Sequence, residues 1–349
     1  MLMNLYINGT GLISAAGSNT DADFLYNVPE YDTNQLLCKE PDYAAFIPAM
    51  QLRRMSKAVR MGVAASKICF SQASIEKPDA LSIGTAMGCL YDTEQFLKKM
   101  VVQNEQQLTP TAFIQSTHNT VAGQIALLCG CNGHNLTYTH RAHSFEHALI
   151  NAKLYLDDHA GEQVLCGGID ELIEPSRHLM QRAGVYAASN RSAKDVVGTY
   201  AQGSVAGEGA SFFLLNAAPV KGTLCIKDIS VFSTKDKAAA VNNMAQYLND
   251  IAGSIDLVML GVNGDENSRE FYEPLKNGVF AGVPQAAFKQ LCGEYATSSA
   301  FALGLLSHAV TSGEVPSSVI LNNQPKALRR VLIVNHFLHY YSCILVELA

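Results

Sequence analysis

The stretch that decides the fold reads Gly133-His-Asn-Leu-Thr-Tyr-Thr-His-Arg-Ala-His-Ser-Phe-Glu-His-Ala-Leu149. Residues 135–139 have the pattern of an extended strand. A strand that turns into a helix N-terminus is a common place for a nucleophile, because free backbone N–H groups and the helix dipole favour negative charge there. The turn at residues 141–144 is Arg-Ala-His-Ser, which contains no cysteine. The apolar residues that follow recur at helical spacing and predict a helix with one buried face; they are Phe145, Ala148, Leu149, Ala152, Tyr155 and Leu156.

Composition narrows the class of protein. The chain has 349 residues, of which 48% are hydrophobic and 16% charged, which predicts a globular protein. The sequence has no apolar run of membrane length and no secretory signal, so we expect a cytoplasmic protein that does not span a membrane. The nine cysteines are scattered and form no Cys-x-x-Cys motif, which predicts buried free thiols. The net charge of −6 argues against a nucleic-acid partner.

The rest of the chain alternates between strand and helix patterns. Buried apolar strands separated by helices predict an α/β protein with mixed or parallel sheets covered on both faces. Residues 217–222, which contain Pro219, mark the join between an N-terminal half (1–216) and a C-terminal half (217–349). Predicted strands cover 5–13, 80–90, 163–168, 205–216, 223–233, 255–264, 331–338 and 341–347. Predicted helices cover 52–71, 92–102 (capped by Asp92 or Thr93), 119–129, 235–251 and 298–310.

Several segments resemble the β-ketoacyl-carrier-protein synthases. The similarity follows the family's order and spacing over nearly the whole chain, and it implies the thiolase-like fold, five layers α/β/α/β/α built from two pseudo-duplicated halves. The segments are Ile-Asn-Gly-Thr-Gly-Leu-Ile-Ser at 7–14, Arg-Arg-Met-Ser at 53–56, Ile-Gly-Thr-Ala-Met-Gly-Cys-Leu-Tyr-Asp-Thr-Glu at 83–94, Pro-Thr-Ala-Phe-Ile-Gln-Ser-Thr-His-Asn-Thr-Val-Ala-Gly-Gln at 110–124, Cys-Gly-Gly-Ile-Asp at 166–170 and Gly-Glu-Gly-Ala at 207–210.

The resemblance also implies which positions should carry the chemistry. Active members use a cysteine nucleophile and two histidines that stabilise an enolate. The cysteine position corresponds to Ala142, the first histidine to Asn263 and the second to Glu294, which follows the family lysine at Lys289. The family's glycine-lined loop after Asn-Ser-Phe is represented by Leu-His-Tyr-Tyr at 338–341. We therefore expect the catalytic triad to be absent, Lys289 and Glu294 to form a buried ion pair, and no cofactor to be required.

A ketosynthase scaffold without a nucleophile resembles the chain length factors, which pair with an active ketosynthase in fatty acid, polyketide or aryl-polyene type pathways. The resemblance implies that the segment 111–124 lies at the dimer interface and shapes the acyl tunnel. The implied partners are an active ketosynthase or a second copy, and an acyl carrier protein. The implied interface residues are Phe113, Ile114, Gln115, Thr117, His118 and Asn119. For Phe113 and Ile114, ordinary core packing is the alternative.

A basic segment precedes the first long predicted helix. Arg53, Arg54 and Lys57, with Arg60 beyond them, correspond to a stretch that active family members use to dock the acidic carrier protein. The pattern places three of the four cations on one helix face. The alternative is an ordinary solvated face with no partner.

Three further interpretations stay open at the level of sequence. His143 and Ser144, with Glu146 and His147, could form a substitute nucleophile and base, which would make the protein an acyltransferase or hydrolase. His140, His143 and His147 have the spacing of a metal site, although we expect hydrogen-bonded core histidines and no metal. A scaffold homodimer with an unrelated binding role is the third interpretation.

Overall fold

The computed structural model describes residues 4–21, 24–25, 30–251 and 253–349. The strands are β1 Leu5–Ser14, β2 Gly17–Ser18, β3 Gln35–Leu36, β4 Ala80–Gly84, β5 Asn135–Tyr138, β6 Val164–Asp170, β7 Ala206–Gly207, β8 Gly209–Asn216, β9 Leu224–Ser233, β10 Leu257–Leu260, β11 Gln285–Ala287, β12 Arg330–Phe337 and β13 Tyr340–Leu348. The helices are α1 Ala49–Leu52, α2 Lys57–Ala73, α3 Leu90–Val102, α4 Pro110–Gln115, α5 Thr120–Cys129, α6 Ser144–Asp158, α7 Glu174–Arg182, α8 Ala193–Gly198, α9 Lys237–Asp250, α10 Glu266–Pro274, α11 Lys289–Cys292 and α12 Ser298–Ser312.

The two halves of the chain repeat one sheet topology. The N-terminal half has the strand order β1-β8-β6-β4-β5, and the C-terminal half has β9-β13-β12-β10-β11. In each half the first two pairings along this order are antiparallel and the last two are parallel. The two sheets meet where β1 pairs with β9 through Leu5↔Ile226 and Tyr6↔Cys225. The predicted pseudo-duplication is therefore confirmed, and the boundary between residues 216 and 217, which falls between β8 and β9, remains our proposal.

Helices α6 and α12 form the middle layer. Helix α6 packs on β4, β6 and β9, and α12 packs on β1, β8 and β12, so each helix touches both sheets. Their apolar residues form a central core with the inner faces of the strands, for example Phe145 with Phe213 and Phe301 with Ile333. Helix α2 covers the outer face of the first sheet, and α9 and α10 cover that of the second. These are the five predicted layers α/β/α/β/α.

Two predicted helix starts are wrong. The helix predicted over 52–71 begins at Lys57, because the chain turns after α1 and Ser56 takes an extended conformation at the N-cap of α2. Arg53 and Arg54 lie in that turn and do not share a helix face with Lys57. The strand predicted over 80–90 ends at Gly84, and α3 is preceded by Cys89 as its N-cap, so neither Asp92 nor Thr93 caps it.

Two predictions from composition can be compared with the structure. All nine cysteines are free, and eight of them are buried, which confirms the prediction of buried thiols. Burial raises the pKa of the Cys166 thiol well above its usual value. Among the described residues, no helix is both long enough and apolar enough to cross a membrane.

Candidate functional site

The turn that would carry the nucleophile joins β5 to α6. Ala142 lies in a 3-10 turn formed by residues 141–143 and is 3% exposed. The turn packs closely against Gly84 at the end of β4. A Cβ on Gly84 would lie 2.4 Å from the carbonyl carbon of Ser144, so a larger residue would clash there. The Ser144 hydroxyl donates to the carbonyl oxygen of Arg141 at 2.6 Å, which closes the turn. The structure thus places an alanine methyl group, buried, at the start of the middle-layer helix.

The two positions that correspond to the family histidines meet in one buried network. Lys289 Nζ donates to both carboxylate oxygens of Glu294 at 2.7 Å and to the carbonyl oxygen of His336 at 2.9 Å. Asn263 Nδ2 donates to Glu294 Oε2 at 2.6 Å. The Lys289 side chain is fully buried and that of Glu294 is 2% exposed. The predicted buried ion pair is confirmed.

Backbone contacts fix the position of Glu294. The Glu294 N–H donates to the Val205 carbonyl at 2.7 Å, and the Gly207 N–H donates to the Glu294 carbonyl at 3.0 Å. A Cβ on Gly207 would lie 2.2 Å from the carbonyl oxygen of Cys292, so only glycine allows the two loops to come this close. The Gly-Glu-Gly motif at 207–209 therefore fixes the position of Glu294.

The protonation of Glu294 is set by two opposing effects. Burial raises the pKa of Glu294, while Lys289 and the Asn263 amide favour its charged form. The orientation of that amide is fixed, because Asn263 Oδ1 accepts from the Ser268 hydroxyl at 2.8 Å and from the Asp265 N–H at 3.1 Å. The network is consequently an ion pair held in one geometry by neutral hydrogen bonds.

A tight hairpin stands where the family has a glycine-lined loop. Strands β12 and β13 pair up to Phe337↔Tyr340, and Leu338, in the turn, has φ 59°. Tyr341 is fully buried and stacks on His336, with ring centroids 5.6 Å apart and planes 22° apart. His336 Nδ1 lies 3.2 Å from the Tyr272 hydroxyl. Aromatic rings therefore fill the space beside the Lys289 network.

Three histidines lie together next to this hairpin. One ring nitrogen from each of His140, His143 and His147 lies within 4.8 Å of the others. His143 Nε2 is 3.0 Å from the Tyr341 carbonyl oxygen, and the Tyr340 ring packs edge-on against His143 with ring centroids 5.1 Å apart. Burial lowers the pKa of His143 to about 4 and also lowers that of His147. The expectation of three hydrogen-bonded core residues fits only His143, because His140 is exposed and His147 is half-buried.

The alternative nucleophile Ser144 lacks the arrangement of a catalytic serine. Its hydroxyl is buried and bonded to its own turn, and among the described residues it makes no hydrogen bond to His143 or His147. The Glu146 carboxyl is fully buried, and burial raises its pKa. A serine nucleophile needs a base within hydrogen-bond reach, which this geometry does not provide.

Most residues of the predicted interface segment are at least partly exposed. Phe113 and Ile114 lie on α4 and are each 58% exposed, so the core-packing alternative for them is wrong. Gln115 ends α4, and residues 117–119 form the turn into α5, where His118 and Asn119 are exposed and Thr117 is partly exposed. Large exposed apolar side chains cluster in this part of the sequence. We call them the 87–136 surface: Met87, Tyr91, Leu97, Val101, Val102, Phe113, Ile114, Leu127 and Leu136.

The residues predicted to dock a carrier protein differ in their availability. Arg53 and Arg54 are exposed. Lys57 Nζ instead bonds the carboxylate of Glu208, which is fully buried in the Gly-Glu-Gly motif. Gln115 Nε2 donates to the Arg54 carbonyl at 2.7 Å, which ties this turn to α4. Within the described part of the chain, Arg53, Arg54 and Arg60 form no salt bridge, and Arg53 and Arg54 are the exposed ones among them.

Comparison with known proteins shows what this chain is similar to. Residues 30–189 match the model of the β-ketoacyl synthase family, N-terminal domain. Over these residues, which are somewhat less than half of the chain, the sequence is similar to the ketosynthases. No curated protein sequence matches it.

Solved ketosynthase structures share the fold over the full length of this ketosynthase-like chain. A β-ketoacyl synthase from Burkholderia phymatum STM815 has 17% identity and a TM-score of 0.77, covering 99% of this chain and 100% of its own. The ishigamide ketosynthase/chain length factor has 15% identity and a TM-score of 0.78, covering 100% of both chains. The ketosynthase ApeO in complex with its chain length factor ApeC from Xenorhabdus doucetiae has 17% identity and a TM-score of 0.77, covering 99% of this chain and 98% of its own. The thiolase-like fold is confirmed.

Sequence reasoning missed two residues that shape the candidate site. Tyr272 and Ser268 lie on α10, a helix that the sequence analysis did not predict, and they hold His336 and Asn263. The signal available in the sequence was a polar pair, Asn-His at 335–336, within an otherwise apolar strand, since buried polar groups need partners.

Proposed function

We propose that this chain is a cytoplasmic, non-condensing subunit that pairs with an active β-ketoacyl synthase and shapes the length of the acyl chain that the partner builds. The observation that carries the proposal is the state of the three catalytic positions. Ala142 offers no thiol, and Asn263 and Glu294 are bonded to each other inside a closed network. A condensing enzyme needs a free thiolate and two imidazoles at these positions. We therefore propose that this chain acts by binding a partner through its surface.

The surface that supports pairing lies at one edge of the sheet. Strand β5 ends the order of the N-terminal sheet, and among the described residues it pairs with β4 alone. The Leu81 N–H donates to the His134 carbonyl and the Thr85 N–H to the Tyr138 carbonyl. Because alternate residues of a parallel strand face the same neighbour, the backbone groups of Thr137 point away from β4. This open edge carries the exposed Leu136, and the neighbouring α5 carries the exposed Leu127. The edge is suited to adding a partner's strand.

The partner we commit to is an active ketosynthase. The ishigamide and ApeO structures, whose fold this chain shares, are those of a ketosynthase with its chain length factor. In the resembling family the dimer joins two sheets edge to edge, which matches the open edge at β5. Phe113 and Ile114 then become buried in the pair, beside the partner's acyl pocket. Arg53 and Arg54 are proposed to attract the acidic carrier protein, as steering by surface charge requires exposed cations.

The test is coexpression with the ketosynthase encoded nearest to this chain, followed by purification of the complex and mass spectrometry of the acyl products. We expect a stable heterodimer whose product length shifts when Phe113→Ala enlarges the tunnel. Val220→Ala is the matched control, because Val220 is an exposed apolar residue outside the 87–136 surface. A chain that stays alone and acquires an acyl adduct on Ser144 or on a cysteine would refute the proposal and support an enzyme.

A second pair of variants tests the edge of the sheet. Thr137→Pro removes a backbone N–H that points to the partner, while the hydrogen bonds from β4 to His134 and Tyr138 stay in place. We expect Thr137→Pro to abolish heterodimer formation and Thr137→Val to leave it intact. Equal dimerisation by both variants would show that the partner binds elsewhere. A homodimer that excludes the ketosynthase would support the scaffold interpretation instead.

A further inference from the structure

The ring nitrogens of the histidine cluster have unused bonding capacity. Among the described residues, the imidazoles of His140 and His147 make no hydrogen bond, although they stack on each other with ring centroids 4.8 Å apart. His143 uses one ring nitrogen for the Tyr341 carbonyl. A carbonyl oxygen can only accept, so His143 Nε2 carries the hydrogen and Nδ1 keeps its lone pair. Each of the three rings therefore keeps a lone pair, and one ring nitrogen of each lies within 4.8 Å of the others.

We propose that His140, His143 and His147 form a three-histidine site for a divalent transition metal, with Zn²⁺ as the ion that the donor set fits best. Imidazole nitrogen is a preferred donor for Zn²⁺, and three histidines with an open fourth position form a recognised zinc site. The fourth position would hold water or a small ligand, because His140 is exposed and gives the ion a path from solvent.

The geometry needs only a small adjustment. Zn–N bonds of about 2.0–2.1 Å in a tetrahedral site place the nitrogens about 3.3 Å apart. The three ring nitrogens already lie within 4.8 Å of one another, so the rings must close by about 1.5 Å at most. The exposed His140 and the half-buried His147 can rotate to do so.

The surroundings hold the buried member of the set in place. The hydrogen bond from His143 to the Tyr341 carbonyl is the kind of outer contact that orients a metal-bound imidazole. The Tyr340 ring packs edge-on on His143 and on His140, with centroids 5.1 and 5.9 Å away. The hairpin that stands in place of the family's glycine-lined loop thus packs on His140 and His143 through Tyr340 and bonds His143 through the Tyr341 carbonyl.

The test measures metal binding by the full chain without a polyhistidine tag, after chelator treatment. Calorimetry with Zn²⁺ and absorption spectroscopy with Co²⁺ should each show one equivalent, and Mg²⁺ should show none. We expect His140→Gln and His147→Gln each to weaken Zn²⁺ binding at least about tenfold. His159→Gln is the matched control, because His159 is an exposed histidine that follows the C-terminus of α6 and should leave the affinity unchanged.

Two outcomes overturn the metal site: wild-type protein that binds no stoichiometric Zn²⁺ or Co²⁺, and binding that neither His140→Gln nor His147→Gln weakens. Melting curves without metal show whether each variant is folded, and His140, being exposed, can be replaced without opening the core. The metal site and the pairing with a ketosynthase are measured separately, so one can fail while the other holds.

Discussion

Replacing Lys289 by methionine should destabilise the protein by about 3–5 kcal/mol, because it leaves the Glu294 carboxylate buried without its partner. Lys289 is fully buried and donates three hydrogen bonds, two to Glu294 and one to the His336 carbonyl. Methionine has a similar length, so the lost volume is small and the effect is electrostatic.

The magnitude can be bounded with a second substitution. In Lys289→Met combined with Glu294→Gln, the buried charge is gone and the glutamine oxygen can still accept from Asn263. The remaining cost is the unbonded His336 carbonyl, about 1–3 kcal/mol. The double variant should therefore be more stable than Lys289→Met alone, and the double-mutant cycle should give a coupling of about 2 kcal/mol or more.

The single variant should also respond to pH. Without the ammonium, the folded-state pKa of Glu294 rises further above its unfolded value. A raised carboxyl pKa means that stability is fully present below the unfolded pKa and is lost as the pH rises through the folded one. The destabilisation should thus be smaller at about pH 5.5 than at about pH 7.5, with a slope of up to about 1.4 kcal/mol per pH unit.

The assay is urea unfolding followed by circular dichroism at both pH values. Lys98→Met is the control, because Lys98 pairs with Glu94 at 2.6 Å but is 61% exposed, and such pairs contribute less than about 1 kcal/mol. If Lys289→Met costs no more than Lys98→Met, or if the two single costs simply add in the double variant, the ion pair does not stabilise this site as argued.

Two further predictions concern stability. Burial raises the pKa of Glu171 to about 7. The contribution of its bound proton to stability is therefore complete below about pH 4.5 and is lost as the pH rises through 7. Glu171→Gln should remove up to about 3 kcal/mol of this pH dependence, measured by unfolding curves at several pH values. Gly207→Ala should cost about 1–3 kcal/mol because its Cβ meets the Cys292 carbonyl oxygen. Gly123→Ala, in open space on α5, should be neutral or gain up to about 1 kcal/mol, and a loss of stability there as large as at Gly207 would contradict the crowding argument.

The helices of the middle layer could be predicted from apolar periodicity, whereas the five-layered arrangement was implied by the family resemblance. The pattern from Phe145 to Leu156 predicted a helix with one buried face, and the apolar segment at 298–310 predicted a second helix; the structure places both in the middle layer. The Lys289–Glu294 pair was also predictable, since two opposite charges five residues apart in a buried segment must find each other. The repeated strand order was not visible as repeated sequence, because topology is set by pairing between distant segments.

The details of the site depend on turns that no periodicity encodes. His140 precedes α6 and joins His143 and His147 only because the 3-10 turn brings it back, with Arg141 at φ 49°. The hairpin at 338–339 likewise depends on tertiary contacts, because Tyr341 is buried against His336. The spacing of the histidines therefore suggested a cluster, and the turn between strand and helix decides whether it forms.

The hydrogen-bond count at Lys289 explains why its network suits a structural role. An ammonium has three donors, and all three are used, on the two oxygens of Glu294 and the carbonyl of His336. Asn263 directs its amide to the same carboxylate. A condensing site must instead hold free donors for the negative charge that develops on its substrate. The donors of this pocket already stabilise the negative charge of Glu294. Ala142→Cys would therefore supply a thiol nucleophile, but no donor would remain to stabilise the enolate of a substrate.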